Sequence, residues 1–337
     1  MLRVFGKFES DFSGNGLAVL NDAKDVKIHR EINGEWNLTF SYPRDEKWEH
    51  LSCENIILEG TQRFRIVKAE GENIEAVPIY KDATGKHIAS TGDMIGRFPY
   101  EIITELFKDT DIHVMNDAEV KELGMEWVTD KTDLFAQSRI TPIGGLITLM
   151  ETLDKYKIHN ELYFDNYNIA LVQKLGKDSG HRIDLRLNAS DISSVIDTSG
   201  IVTRLYPYGK DGLEIIGDKK YIESQNVNEF VRHDGFINFD EIDDPVALLN
   251  AAQAQFSVDN IDRIDIPKYS VTAKCFQIGD DIGLGDIVEV NDMQYGIVSR
   301  QRVVAVDYYP FEPNRTEITL GKPSRTLKDV LEKVECS

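Results

Sequence analysis

The sequence predicts a mixed α+β fold that is mainly β: two β-barrel-like domains with an α+β domain inserted between them. Three observations carry this. The first ninety residues alternate apolar and polar positions, the spacing changes to helical near residue 99, and alternation returns near residue 196.

In EWNLTFSYP, Trp36, Leu38, Phe40 and Tyr42 alternate with Asn37, Thr39 and Ser41, which gives a strand one apolar face. NIILEG (55–60), QRFRIVKAE (62–70) and NIEAVPIYK (73–81) continue the pattern between polar or glycine turns. Several short strands at this spacing predict a small barrel or sandwich over residues 1–90.

Residues 91–195 form the predicted insert. Pro99 opens a helix with Ile102, Ile103, Leu106 and Phe107 on one side. A second helix begins at Thr141-Pro142, where threonine caps free amides and proline needs no donor, and Ile143, Leu146, Ile147, Met150 and Leu153 follow in register. In ELYFDNYNIALVQKL, two apolar runs bracket Asp165-Asn166-Tyr167-Asn168, which predicts a β-hairpin.

Residues 196–323 form a second β-rich domain, with 196–225 free to pack back on the first. It holds one helix, capped by Asp244 before Pro245, with an expected apolar stripe of Val246, Leu249, Ala252 and Phe256. SVTAKCF (270–276), GDIVEVN (285–291), YGIVSRQRVVAVDYYP (295–310) and TEITLG (316–321) read as strands. Residues 324–337 read as a short amphipathic helix leading toward any downstream region.

Function classes narrow quickly. The 58 acidic against 38 basic residues give a charge of −20, so sequence-specific nucleic-acid binding is not expected. No apolar run reaches membrane-helix length, so no membrane insertion is expected. Cys53, Cys275 and Cys336 are too scattered for a zinc site or a disulfide framework, and Cys53 reads as a buried or partly buried structural thiol. The seven histidines show no i, i+4 pair, and no Gly-x-Ser-x-Gly elbow occurs. IGDDIGLGD (278–286) carries three carboxylates and no lysine, so it reads as a turn rather than a phosphate loop. We therefore expect no catalytic residues, no metal and no cofactor.

One block stands apart. In VTRLYPYGKDGL (202–213), Val202, Arg204 and Tyr206 should share one strand face and Thr203 and Leu205 the other. Pro207 should end the strand or mark an edge, and Lys210-Asp211-Gly212 should turn with Gly212 at positive φ. Arg204, Tyr206, Pro207, Tyr208, Gly209 and Gly212 form a structural signature, with the tyrosines as anchors at a domain junction where the insert returns to the β-domains.

Several stretches resemble the prophage endopeptidase tail family, the tail-associated lysin N-terminal modules of phage tails. They are Leu175-Gly176-Lys177-Asp178, Asp197-Thr198-Ser199, Thr203 to Leu213, KKYIES (219–224), the closing β region from Leu284-Gly285-Asp286 to Thr319-Leu320-Gly321, and the opening GEWNLTFSYP (34–43). The resemblance implies a structural protein of the virion tail, assembled in the host cytoplasm. It implies a homotrimeric baseplate hub that meets the tail tube or distal tail protein and the tip or receptor-binding proteins. Such a hub contacts the cell envelope indirectly, and DNA only passes through its channel. Acidic residues lining that channel would repel phosphates. Peptidoglycan hydrolysis in relatives generally lies in further C-terminal domains. A tail-associated peptidoglycan endopeptidase is the alternative function, and a wall-binding module is a third.

Overall fold

The computed structural model describes residues 1–156, 158–184, 189–257, 263–266, 268–275, 282–292 and 297–321. These fall into two compact units: Met1–Ile192 with the residues from Thr272 on, and Ser193–Val271. The fold is mainly β with few helices, as the alternation predicted.

In the first unit, one large sheet curls as a half-barrel. Its order begins at Ala18–Leu20 and passes through Leu2–Phe5, Ile56–Glu59, Gln62–Glu70, Asn73–Pro78, Trp36–Ser41 and Lys24–Glu31. Ile297–Tyr308 follows, then Glu317–Leu320. The strand Ile297–Tyr308 joins early and late sequence. Its first half pairs with Ile287–Asp292, and its second half pairs with Lys24–Glu31, aligning Val306 with Arg30 and Tyr308 with Ile28. Asp178–Asp184 adds a parallel neighbour to Ile287–Asp292. The early and late β regions are thus one continuous sheet.

The inward positions of the early strands form one core, including Leu2, Val4, Ile28, Leu38, Phe40, Phe64 and Ile66. Each such side chain contributes about 1.5–3 kcal/mol on leaving water. A second core lies between residues 80 and 175, built on the helices Pro99–Phe107 and Pro142–Lys155 and the hairpin Glu161–Asp165/Asn168–Val172. Thr141 caps as expected, accepting from the Gly144 amide at 3.0 Å. The strands Ile88–Ser90, Met94–Arg97, Thr132–Phe135 and Ser138–Ile140 and the helix Asp117–Glu122 complete this region.

Two asparagines in left-handed turns hold this segment to the early sheet. Asn166 (φ 54°) accepts from the Arg63 amide at 2.9 Å and donates to the Thr61 carbonyl at 3.1 Å. Asn33 (φ 50°) accepts from the Leu162 amide at 2.8 Å and donates to the Asn160 carbonyl at 2.9 Å. Asparagine tolerates this backbone region better than other side chains, and its amide then mimics a strand partner.

Two expectations need correction. Cys53 is exposed, because it sits in the loop before Ile56–Glu59 rather than inside a strand. In the helix Pro245–Ala254, Leu248 and Ala252 are buried while Val246 is 50% exposed. Asp244 caps as predicted, accepting from the Ala247 amide at 2.7 Å, and Ala252 is buried as expected, but Leu248 rather than Val246 joins it on the inward face. The predicted C-terminal helix at 324–337 and residues 278–281 lie outside the described residues.

Candidate functional site

The signature block lies inside the Ser193–Val271 unit, as the central strand of a three-stranded sheet. Arg204–Gly209 pairs with Ile222–Glu223 on one side and, in parallel, with Asp234–Phe239 on the other. The faces divide as the alternation requires. Thr203, Leu205, Pro207 and Gly209 are buried, Arg204 and Tyr206 half-buried, and Tyr208 exposed. The helix Pro245–Ala254 packs against this strand.

Pro207 does not end the strand. It stays in register opposite Ile237. The neighbour on the other side pairs only as far as Leu205, so Pro207 stands where the strand has become an edge and a missing N–H is tolerated. Gly209 is required by space: a Cβ there would stand 2.6 Å from the Ile242 carbonyl oxygen. The turn then uses two left-handed residues, Asp211 (φ 54°) and Gly212 (φ 80°), of which only Gly212 was expected from sequence.

On the outer face, Arg204 donates to Glu223 at 2.6 and 3.2 Å and lies 4.1 Å above the Tyr221 ring. The rings of Tyr206 and Tyr221 are 5.5 Å apart. Arg232 binds Asp234 on the next strand. The Arg204 hydrogen bond holds the Glu223 carboxyl below the usual range. Beyond this cluster, Tyr208, Phe236, Asn238, Asp211 and Asp240 line an open cleft of about 600 Å³, with Phe236 73% exposed.

Beneath the sheet lies a polar centre that sequence reading missed. Thr203, fully buried, accepts from the His233 amide at 2.9 Å through its hydroxyl and from the Ser224 amide at 2.9 Å through its carbonyl. Asp265, also fully buried, accepts from Ser224, from Asn226 at 3.2 Å and from Arg263 at 2.8 and 2.9 Å. Burial pushes the Asp265 carboxyl up, but the bonds from Arg263 and Ser224 outweigh it and leave it below the ordinary range. No sequence spacing announces this set, because Thr203, Ser224, His233 and Asp265 meet only through strand pairing. His233 takes part through its backbone.

The first unit holds a tighter arrangement. Glu161 and Arg302 are 1% and 8% exposed and form a two-point pair, with Nη2 to Oε2 at 2.6 Å. Arg302 also donates to the carbonyls of Gly285 at 3.0 Å and Leu175 at 2.8 Å, and Glu161 accepts from the Leu175 amide at 2.6 Å and from His159 at 2.9 Å. Burial pushes the Glu161 carboxyl up, yet the bonds from Arg302 and His159 and the Arg302 charge bring it down to about 2. Gly176 and Gly285 let the backbones meet here: a Cβ on Gly176 would fall 2.1 Å from the Gly285 carbonyl carbon. Asp286 closes the turn predicted from sequence, accepting from the amides of Lys177 at 2.8 Å and Gly283 at 2.9 Å.

These groups are all engaged in holding strands together. Among the described residues, no group of three or more His, Cys, Asp or Glu could hold a metal ion, and no helix is long and apolar enough to cross a membrane.

The family described as "Prophage endopeptidase tail" matches residues 177–331, and its N-terminal domain matches residues 7–87. No curated protein matches the chain. Among solved structures, prophage tail protein gp18 from Listeria monocytogenes EGD-e is similar at 17% identity and TM-score 0.63, over 100% of this chain and 99% of that one. The 43 kDa tail protein of prophage MuSo2 from Shewanella oneidensis is similar at 13% identity and TM-score 0.56, over 88% and 94%. A tail protein from Neisseria meningitidis MC58 is similar at 12% and 0.52, over 90% and 93%.

Proposed function

This chain belongs to the prophage endopeptidase tail family of phage tail proteins, and we propose from that premise that it is a trimeric baseplate hub. In this reading it joins the tail tube or distal tail protein to the tip or receptor-binding proteins and encircles the path of exiting DNA. The observation that carries the proposal is the sheet of the first unit. Early and late strands merge into one curled half-barrel, in which Ile297–Tyr308 pairs with Ile287–Asp292, Lys24–Glu31 and Glu317–Leu320. Among the described residues Ala18–Leu20 stands at one end of this order, and a curled sheet with such an edge is suited to completion by other subunits, since closure removes edges that would otherwise pair indiscriminately.

Sedimentation of the purified chain tests this. We expect a trimer, or a monomer that trimerises as concentration rises; an obligate dimer would refute it. The charge of −20 supports a channel wall that repels phosphate. A trimer structure with a neutral or basic lumen would end that part of the reading.

We also propose that the chain acts structurally rather than enzymatically, with the carboxylates and histidines described above committed to strand pairing. The alternative, a peptidoglycan endopeptidase, rests on the family description. Incubation with bacterial cell walls decides: release of new peptide or sugar ends would establish the enzyme. We further propose that Arg204, Tyr206, Pro207, Tyr208, Gly209 and Gly212 fix the geometry of the Ser193–Val271 unit, and that the chain is made and assembled in the host cytoplasm.

A further inference from the structure

A cavity of about 380 Å³ opens within the first unit, between the Lys24–Glu31/Trp36–Ser41 hairpin and the strand Glu161–Asp165. Pockets that hold small ligands begin near this size, at about 300 Å³. Trp36, Phe164 and Tyr163 supply aromatic wall, and the Trp36 and Phe164 rings are 4.0 Å apart.

Arg30 sets the chemistry. Its guanidinium lies 4.8 Å from the Trp36 ring, and the carboxylates whose charges act on it are those of Glu59 and Asp165. Its Nε is buried without a partner. Burial pulls its pKa down, although the charge persists. Arg65 takes Asp82 and the buried Arg302 takes Glu161, whereas the Nε of Arg63, like that of Arg30, is buried without a partner, with the Arg63 guanidinium 4.3 Å from the Phe12 ring. A guanidinium with a buried, unpartnered Nε beside a cavity is matched best by a carboxylate.

The two acids of the wall are occupied. Asp165 accepts from Gln62 at 2.6 Å and from Asn166 at 3.1 Å. Glu31 folds back on its own turn, where a Cβ on Gly34 would stand 2.6 Å from its Oε2. We propose that this cavity binds a carboxylate carrying an apolar or aromatic body, with Arg30 taking the carboxylate and the contacting rings of Trp36 and Phe164 forming one wall against the body.

The test is calorimetry and ligand-observed NMR on the whole chain with three probes of one shape: 3-phenylpropionate, its amide, and 2-phenylethylamine. We expect saturable binding of the carboxylate, with the amide and the amine weaker by about ten- to a hundredfold, the usual worth of a charge-assisted bond. Arg30→Gln should lose binding by the same factor with an unchanged circular dichroism spectrum. If that variant does not fold, the ranking of the probes on the wild-type chain still decides. An octapeptide ending in phenylalanine separates the sources: binding comparable to 3-phenylpropionate marks a polypeptide terminus as the natural ligand, and loss marks a small molecule. Absence of saturable carboxylate binding, equal or tighter binding of the amine, or full binding by a folded Arg30→Gln overturns the proposal.

Discussion

The two units each contain an arginine–glutamate pair, and the pairs differ mainly in access to water. Arg302–Glu161 is almost wholly buried and ties together residues 141 apart in sequence, whereas Arg204–Glu223 is 17% and 33% exposed and spans 19 residues. In the first, each partner takes further backbone bonds, so desolvation is met by a complete set of acceptors and donors. In the second, water can replace either partner. The same two residue types therefore act as a structural lock in one unit and as a surface trim in the other.

The comparison breaks first at Arg302. Arg302→Met leaves Glu161 buried without its counter-charge, and chemical denaturation should report a loss of about 3–5 kcal/mol. Adding Glu161→Leu should restore most of it; a double variant as unstable as the single one would show that packing, not charge, sets the cost. Next in size is pH. With an unfolded value near 4.5 and a folded value near 2, Glu161 contributes roughly 3 kcal/mol that is fully present above about pH 4.5. That contribution is lost as pH falls through about 2. Acid titration of stability should show this low midpoint in wild type and lose it in Arg302→Met.

Replacing both Tyr206 and Pro207 by alanine removes a half-buried ring and a buried ring from the central strand of the second unit. We expect a loss of about 1–3 kcal/mol or weakened formation of the proposed trimer, read by denaturation and sedimentation. Unchanged stability and assembly would sink the structural role given to the signature. Smallest should be Glu223→Gln, which should change stability by no more than about 1 kcal/mol and become invisible at high salt.

Much of this was readable in the sequence wherever local chemistry decides. Period-two alternation marked Trp36–Ser41 and Arg204–Gly209, and Thr141-Pro142 and Asp244-Pro245 marked helix starts at the positions found. Reading stopped where partners are distant. Glu161 and Arg302 carry no motif, since only the folded register brings them together, and the same holds for Thr203 and Asp265 beneath the signature strand. At Pro207 local chemistry left two outcomes open, a strand end or an edge, and the pairing chose the edge because the neighbour Ile222–Glu223 had already stopped. Helix-face errors such as Val246 for Leu248 arise because Val246, Leu249, Ala252 and Phe256 also repeat at helical spacing, and only packing chooses between the faces.

The strand Ile297–Tyr308 also dictates a timetable. Lys24–Glu31 finds its first partner, Trp36–Ser41, almost at once, but the contact of His29 with Asp307 spans 278 residues. At ordinary synthesis rates the second partner leaves the ribosome on the order of ten seconds or more after the first. During that interval the strand presents a bare row of amides and carbonyls, a template for pairing with neighbouring nascent chains. Late closure of this ladder makes it a slow step of maturation, and yield in an expressing cell should respond to translation speed and chaperone supply.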